Sequence, residues 1–161
     1  MRILVLGVGN ILLTDEAIGV RIVEALEQRY ILPDYVEILD GGTAGMELLG
    51  DMANRDHLII ADAIVSKKNA PGTMMILRDE GVPALFTNTI SPHQLGLAEV
   101  LAALRFTGEF PKKLTLVGVI PESLEPHIGL TPTVEAMIEP ALEQVLAALR
   151  EAAQVPTRLA E

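Results

Sequence analysis

One stretch near the start of the chain, residues 4–19, most constrains what this chain can fold into. Its sequence, LVLGVGNILLTDEAIG, predicts a buried strand over residues 3–6, a glycine-rich turn and then an amphipathic helix. Asp15 and Glu16 stand at the start of that helix, where negative charge complements the helix dipole. A strand, a turn and a helix in this order are typical of the ligand-binding edge of an α/β protein.

Composition supports the same fold class. Half of the 161 residues are apolar, yet only 3% are aromatic, so the core must consist mainly of Val, Ile, Leu, Met and Ala. Such a core is typical of parallel strands covered by helices. We therefore expect an α/β fold, a three-layer αβα sandwich around a mostly parallel five-stranded twisted sheet with one antiparallel edge strand. The length predicts a single domain over residues 1–161, with a frayed tail from about residue 155.

Hydrophobic periodicity, glycine and proline place the remaining elements. Strands are predicted at 35–39, 57–61, 73–77 and 114–119, and helices at 46–53, from 92 onward, and at 133–152 with a kink at Pro140. Residues 62–72 are too few for a helical crossover, so strand 73–77 is predicted to be antiparallel at an edge. Residues 82–90 are then expected to return in extended form. Ser91 is predicted to cap the helix that begins at Pro92.

Several function classes are disfavoured by composition and by missing motifs. The formal charge of −10 argues against a nucleic-acid partner, which needs clustered Lys and Arg. The absence of cysteine excludes a thiolate metal site and a Cys nucleophile, and it suits a cytoplasmic location. The sequence predicts neither a signal peptide nor a membrane span, and it contains no P-loop, G-x-S-x-G or H-E-x-x-H motif.

Four polar features are predicted at the carboxyl edge of the sheet. The pair Asp15 and Glu16 follows the first strand, Asp40 follows the second, Asp62 ends the third, and His93 lies in the first turn of a long helix. Carboxylates and an imidazole together suit a divalent transition metal that keeps open positions for water or substrate. Because a helix start disfavours imidazolium, we expect His93 to be neutral, which is the form that binds metal.

Each feature also has a structural interpretation. Asp15 and Glu16 can act only by stabilising the positive end of the helix dipole, and His93 can be an ordinary surface residue of its helix. Asp40 lies in a D-G-G-T sequence, which favours an Asx-turn role on local grounds. Asp62 is harder to explain in this way, because an acid that ends a buried strand is more often part of a site. Their common edge strengthens the functional interpretation of the set.

Motifs along nearly the whole chain carry a family resemblance. They are G-V-G-N-I-L-L-T-D-E-A-I-G at 7–19, D-G-G-T at 40–43, D-A at 62–63, S-P-H-Q-L-G-L at 91–97, V-G-V-I-P at 117–121 and G-L-T-P-T-V at 129–134. In this order they resemble the nickel-iron hydrogenase maturation endopeptidases. The resemblance implies a protease that removes a carboxyl-terminal extension from the hydrogenase large-subunit precursor after nickel insertion, with the bound nickel as the recognition signal.

The resemblance also implies a ligand set and a partner. It assigns Glu16, Asp62 and His93 as metal ligands, with nickel supplied by or shared with the substrate, and another divalent metal able to bind in vitro. The expected partner is the nickel-containing hydrogenase large-subunit precursor, and the expected state of this protein is a cytoplasmic monomer with no nucleic-acid or membrane partner.

Catalytic roles are assigned to Asp40, Glu16 and Asp62. The reaction class would be that of an aspartyl-type or metal-dependent endopeptidase, with metal polarising the scissile carbonyl or activating water. Asp40 would serve as a base or as a substrate-positioning group. The expected substrate-binding residues are Gly41, Gly42 and Thr43.

Two other function classes remain open from the residues alone. A non-proteolytic metal-binding maturation chaperone would share every ligand with the protease. A phosphoacceptor receiver domain would use Asp62 as the acceptor with Mg²⁺, but it should also place a Lys at the end of the last strand. Val119, Ile120 and Pro121 stand there instead.

Overall fold

The computed structural model describes residues 1–152 and 157–158. The strands are Ile3–Val8 (β1), Tyr30–Ile31 (β2), Val36–Gly42 (β3), His57–Ala63 (β4), Met74–Arg78 (β5), Lys113–Val119 (β6) and Thr157–Arg158 (β7). The α-helices are Ile18–Arg29 (α1), Leu49–Met52 (α2), Gly81–Thr87 (α3), Pro92–Thr107 (α4), Pro132–Glu135 (α5) and Ile138–Ala152 (α6), with short 3-10 helices at Thr14–Ala17 and Met46–Leu48. Within these residues, no helix has the length and hydrophobicity needed to cross a membrane.

The central sheet has five strands in the order β3-β1-β4-β6-β5. The pairs β3–β1, β1–β4 and β4–β6 are parallel, and only the edge strand β5 runs antiparallel, against β6. One apolar cluster packs α1 and α6 on one face of the sheet, and a second packs α3 and α4 on the other. The expected three-layer α/β sandwich with one antiparallel edge strand is therefore confirmed.

Strands β1 and β4, whose carboxyl ends carry predicted site residues, are buried along their whole length. Every residue of β1 and of β4 is buried, as expected for parallel strands covered on both faces. β4 extends two residues beyond the predicted 57–61, because Asp62 and Ala63 continue the ladder opposite Gly118 and Val119 of β6. Asp62 is thus held by the sheet itself and does not lie in a loop after it.

The prediction of an extended return over residues 82–90 is wrong, because residues 81–87 form helix α3. The extended form was expected because residues 82–90 must return the chain to the carboxyl edge of the sheet, and nine extended residues are long enough to do so. Pro83 is compatible with the helix because it occupies the first turn, where its missing N–H leaves no hydrogen bond unmade. Val82 and Phe86, spaced i and i+4, are fully buried against the same face of the sheet as α4.

The carboxyl-terminal helix is interrupted earlier than its proline. Helices α5 and α6 are separated at Ala136 and Met137, although the sequence predicted one helix over 133–152 kinked at Pro140. A proline ring crowds the carbonyl four residues before it, and here that residue is Ala136. Of the tail that was predicted to fray from residue 155, β7 pairs antiparallel with β2, and the rest lies outside the described residues.

Helix α1 lies unusually close to the sheet at Gly19. A Cβ added there would stand 2.1 Å from the carbonyl oxygen of Ala61 and 2.6 Å from that of Val8. Both are backbone atoms of central strands and cannot move aside independently. This contact brings the start of α1, and with it Glu16, against the carboxyl ends of β1 and β4.

We predict that Gly19→Ala lowers the free energy of unfolding by about 1–3 kcal/mol or more, because the methyl group must push the helix off the sheet. The matched control is Gly50→Ala in α2, where an added Cβ meets nothing within 4 Å. That control should be neutral, or stabilising by up to about 1 kcal/mol. Urea denaturation followed by circular dichroism measures both, and equal stability of the two variants would contradict the close approach.

Candidate functional site

A pocket of about 630 Å³ opens at the carboxyl edge of the sheet. The loops after β1, β3, β4 and β6 and the start of α4 all contribute to its lining. The polar lining side chains include Asn10, Glu16, Thr43 and His93. This is the edge at which open α/β sheets bind ligands, and it is where the sequence placed the site.

His93 lies between two carboxylates at the wall of this pocket. Its Nε2 is 3.3 Å from both carboxylate oxygens of Asp62, and its Nδ1 is 3.4 Å from Oε1 of Glu16. Nδ1 also lies 2.9 Å from the hydroxyl of Ser91. Ser91 occupies the predicted N-cap position, but its hydroxyl makes no capping bond and orients the imidazole instead. The structure therefore brings together Glu16, Asp62 and His93 as predicted.

Asp62 has a further partner that the sequence analysis missed. The side-chain amide of Gln94 donates to Oδ2 of Asp62 at 2.7 Å and to the Ala63 carbonyl at 2.9 Å. Its own oxygen accepts from the Thr89 hydroxyl at 2.7 Å, which fixes which way the amide points. Gln94 is only 4% exposed. The sequence signal that could have identified Gln94 is its position directly after His93, in the first turn of α4.

Burial and charge set the protonation of this pair. Burial raises the pKa of Asp62 above its ordinary value, although contacts with His93, Gln94 and the Ala63 N–H oppose this. Burial alone would lower the pKa of His93. The hydrogen bond to Asp62 and the charges of Asp62 and Glu16 outweigh burial and raise that pKa above 6.5. The direction of this shift is opposite to the one expected from the helix start, because the two carboxylates favour the charged form of the imidazole.

Asp15 and Glu16 have different roles although they are adjacent. Asp15 is fully buried, and its carboxylate accepts the backbone N–H groups of Glu122, Ser123 and Thr131 at 2.8–3.0 Å, together with the Thr131 hydroxyl. It therefore anchors the loop between β6 and α5. Glu16 instead turns toward the pocket, where its Oε1 accepts the Asn10 N–H at 3.2 Å.

The D-G-G-T stretch contributes less to the pocket than expected. Asp40 is exposed, does not line the pocket, and accepts the N–H of Gly42 at 2.9 Å, which is the Asx-turn arrangement favoured on local grounds. Gly41 is buried under Leu6, whose Cδ1 would lie 2.8 Å from an added Cβ. Of the predicted substrate-binding residues, Thr43 lines the pocket, whereas Gly41 and Gly42 are the last two residues of β3 and do not line it.

The donor set suits a divalent metal, but the side chains are not arranged around a common point. Over residues 1–152, no three His, Asp or Glu side chains converge with the spacing of a metal site. The reason is that the His93 ring stands between the other two groups, with one nitrogen toward each. One imidazole and two carboxylates are nevertheless ligands that Ni²⁺ and Zn²⁺ accept. To bind here, a metal would have to displace a proton from a ring nitrogen of His93 and break at least one of the contacts between His93 and the carboxylates.

Comparison with known proteins gives one consistent result. A family model described as hydrogenase maturation protease matches residues 20–148. The chain is 97% identical over 151 residues to the hydrogenase 2 maturation protease of Escherichia coli K12, an alignment that covers 94% of this chain and 92% of that protein. It is 47% identical to the hydrogenase expression/formation protein HupM of Azotobacter chroococcum, across 93% of this chain and 72% of that protein. Among solved structures, the hydrogenase maturating endopeptidase HybD from E. coli superposes with a TM-score of 0.97 at 93% identity over 98% of both chains.

The raised pKa of His93 leads to a titration experiment on the metal-free protein. We predict that Asp62→Asn lowers the pKa of His93, because the variant loses a carboxylate charge and its hydrogen bond and leaves burial to dominate. Glu16→Gln should lower that pKa by less, since it removes a charge that contributes less. Titration of the imidazole by NMR measures both variants, with His57 at the opposite edge of the sheet as a control that should not change. A His93 pKa that stays the same or rises in Asp62→Asn would contradict the interpretation.

The same shift has a consequence for stability. Because the pKa of His93 is higher in the folded than in the unfolded protein, its contacts with the carboxylates stabilise the fold fully below about pH 6.5. This contribution is lost as the pH rises through the folded-state pKa.

Proposed function

Since this chain belongs to the hydrogenase maturation protease family, it is a peptidase, and we propose that it removes the carboxyl-terminal extension of a nickel-iron hydrogenase large-subunit precursor after nickel insertion. The nickel in that precursor is the recognition signal, and it reaches this protein as part of the substrate. The protein acts as a monomer in the cytoplasm. Family membership favours a peptidase over the phosphoacceptor receiver and the non-proteolytic metal chaperone.

The single observation that most supports this proposal is the position of His93 between Glu16 and Asp62 at the wall of the pocket. These three residues would contact the metal of the substrate, and another divalent metal could occupy the same groups in vitro. A metal held there supplies Lewis-acid chemistry that polarises a carbonyl or activates a water molecule.

The protein's own residues account for selectivity toward a loaded precursor. Without a metal, Nε2 of His93 lies within hydrogen-bonding distance of Asp62 and Nδ1 faces Glu16, so both ring nitrogens already have a partner. A metal binds a deprotonated imidazole nitrogen, so the interaction becomes weaker as the pH falls. A precursor without nickel offers no compensation for disrupting these contacts.

We predict that incubation with a purified precursor, nickel-loaded and nickel-free in parallel, releases a carboxyl-terminal peptide only from the loaded form. His93→Ala should abolish the release, because it removes the group that faces both carboxylates. Mass spectrometry of the precursor measures the outcome, and circular dichroism confirms that the variant is folded. If no cognate precursor is cut while metal binding is intact, the protease proposal fails and a metal-carrying role is favoured.

Asp40 remains a candidate base or substrate-positioning group, and Asp40→Asn tests it without disturbing the turn. An asparagine oxygen can still accept the N–H of Gly42, so a loss of processing would indicate that the carboxylate itself takes part in the reaction. Loss of a general base should slow processing by about 100-fold or more.

The matched control is Asp34→Asn, which makes the same charge change at an exposed residue before β3, at the opposite edge of the sheet. Processing at the wild-type rate in Asp40→Asn would remove Asp40 from any acid-base role. A loss in both variants would point to an effect of net charge.

A further inference from the structure

Exposed apolar side chains are unevenly distributed over this protein. Within the described residues, eight of the eleven large apolar side chains with high exposure belong to the carboxyl edge of the sheet, around the pocket. We call these eight residues the apolar rim: Ile11, Leu12, Met46, Val65, Ile90, Leu95, Leu124 and Ile128. The other three, Met1, Ile31 and Phe106, lie at the opposite edge. A cluster of this kind indicates an interaction surface, whereas scattered apolar residues do not.

The apolar rim is continuous with the pocket. Val65, Ile90 and Leu124 line the pocket itself while remaining 59%, 91% and 38% exposed. Leu12 precedes a lining residue in the loop after β1, and its carbonyl accepts the backbone N–H of His127, which places it beside Ile128. The apolar rim therefore reaches into the pocket and extends beyond it along the loops after β1 and β6.

Part of this rim is held rigidly by backbone contacts. The buried carboxylate of Asp15 anchors both ends of the loop that carries Leu124 and Ile128. Thr14 joins the same loop to the loop after β1, through its N–H to the His127 carbonyl at 2.9 Å and through its hydroxyl to the Glu125 carbonyl. A surface ordered before binding loses little conformational entropy when a partner docks.

We propose that the apolar rim is the docking surface for the folded body of the protein substrate, and that it contacts an apolar patch on that substrate beside the cleaved extension. The inference rests on the proposed function, because a protein that presents a peptide bond to this pocket must lie against the rim. A second copy of this chain is disfavoured as the occupant, since it would cover the pocket.

The test places two charges on the rim outside the pocket. Leu12 and Ile128 are 55% and 68% exposed and do not line the pocket, so Leu12→Glu combined with Ile128→Glu changes the surface alone. The matched control is Phe106→Glu, at a residue 93% exposed at the far end of α4. Leu12→Met combined with Ile128→Val keeps the surface apolar and tests whether shape or polarity matters.

Binding to nickel-loaded precursor is measured by surface plasmon resonance, with the precursor immobilised through its amino terminus, in parallel with processing by mass spectrometry. We expect the double Glu variant to weaken binding and raise KM by about tenfold or more, as for loss of central apolar contacts in an interface. Phe106→Glu and the apolar double variant should remain within about twofold of the wild type. All variants should keep the wild-type melting temperature.

Several outcomes would overturn the inference. One is a double Glu variant that binds like Phe106→Glu, and another is a wild-type protein that binds no precursor. A wild-type dimer that the double Glu variant dissociates, with precursor binding unchanged, would assign the rim to a second copy. If the wild type binds the precursor without cutting it and the double Glu variant loses that binding, the docking surface stands and the protease proposal fails.

Discussion

The carboxyl edge of this protein depends on one buried carboxylate, that of Asp62. It has no exposed surface, so the cost of removing it from water must be offset by polar contacts. The Ala63 N–H supplies one contact from within β4, while His93 and Gln94 supply the others from α4. Because two of the three partners lie in the first turn of one helix, satisfying the carboxylate also positions that helix against the end of the strand.

A second buried carboxylate, that of Asp15, has a similar effect on the opposite side of the pocket. It satisfies three backbone N–H groups of the loop between β6 and α5, more than a hundred residues away along the chain. Its neighbour Glu16 points into the pocket because consecutive side chains of a 3-10 helix are about 120° apart. Two adjacent acids can therefore have separate roles, one holding a loop and the other facing a ligand.

These two anchors explain how a small site can be both polar at its base and apolar at its margin. The residues predicted to hold a metal lie on β4, on α4 and on the 3-10 helix after β1, and each of them makes at least one hydrogen bond. Around them, the loops expose Val65, Ile90 and Leu124. On the proposed function, the polar groups at the base of the site recognise the metal, and the apolar residues at its margin recognise the protein that carries the metal.

Much of this was accessible from the sequence, because periodicity and helix starts are local properties. The apolar runs of β1 and β4, the antiparallel edge strand β5 and the start of α4 at Pro92 all follow from patterns a few residues long. The sequence also placed Glu16, Asp62 and His93 at one edge, since parallel strands end on the same side. Helix α3 was missed because an extended segment is also long enough for the return, and the burial of Val82 and Phe86 that favours a helix depends on the sheet face they pack against.

What only the tertiary structure decided is the role of each polar side chain. Asp15 differs from Glu16 because of partners around residues 122–131, and Gln94 matters because Asp62 and Thr89 stand on either side of its amide. The raised pKa of His93 follows from two carboxylates that other elements bring to it. Local sequence specifies where strands and helices begin, but hydrogen bonding and charge depend on distances through space, and these exist only once the chain has folded.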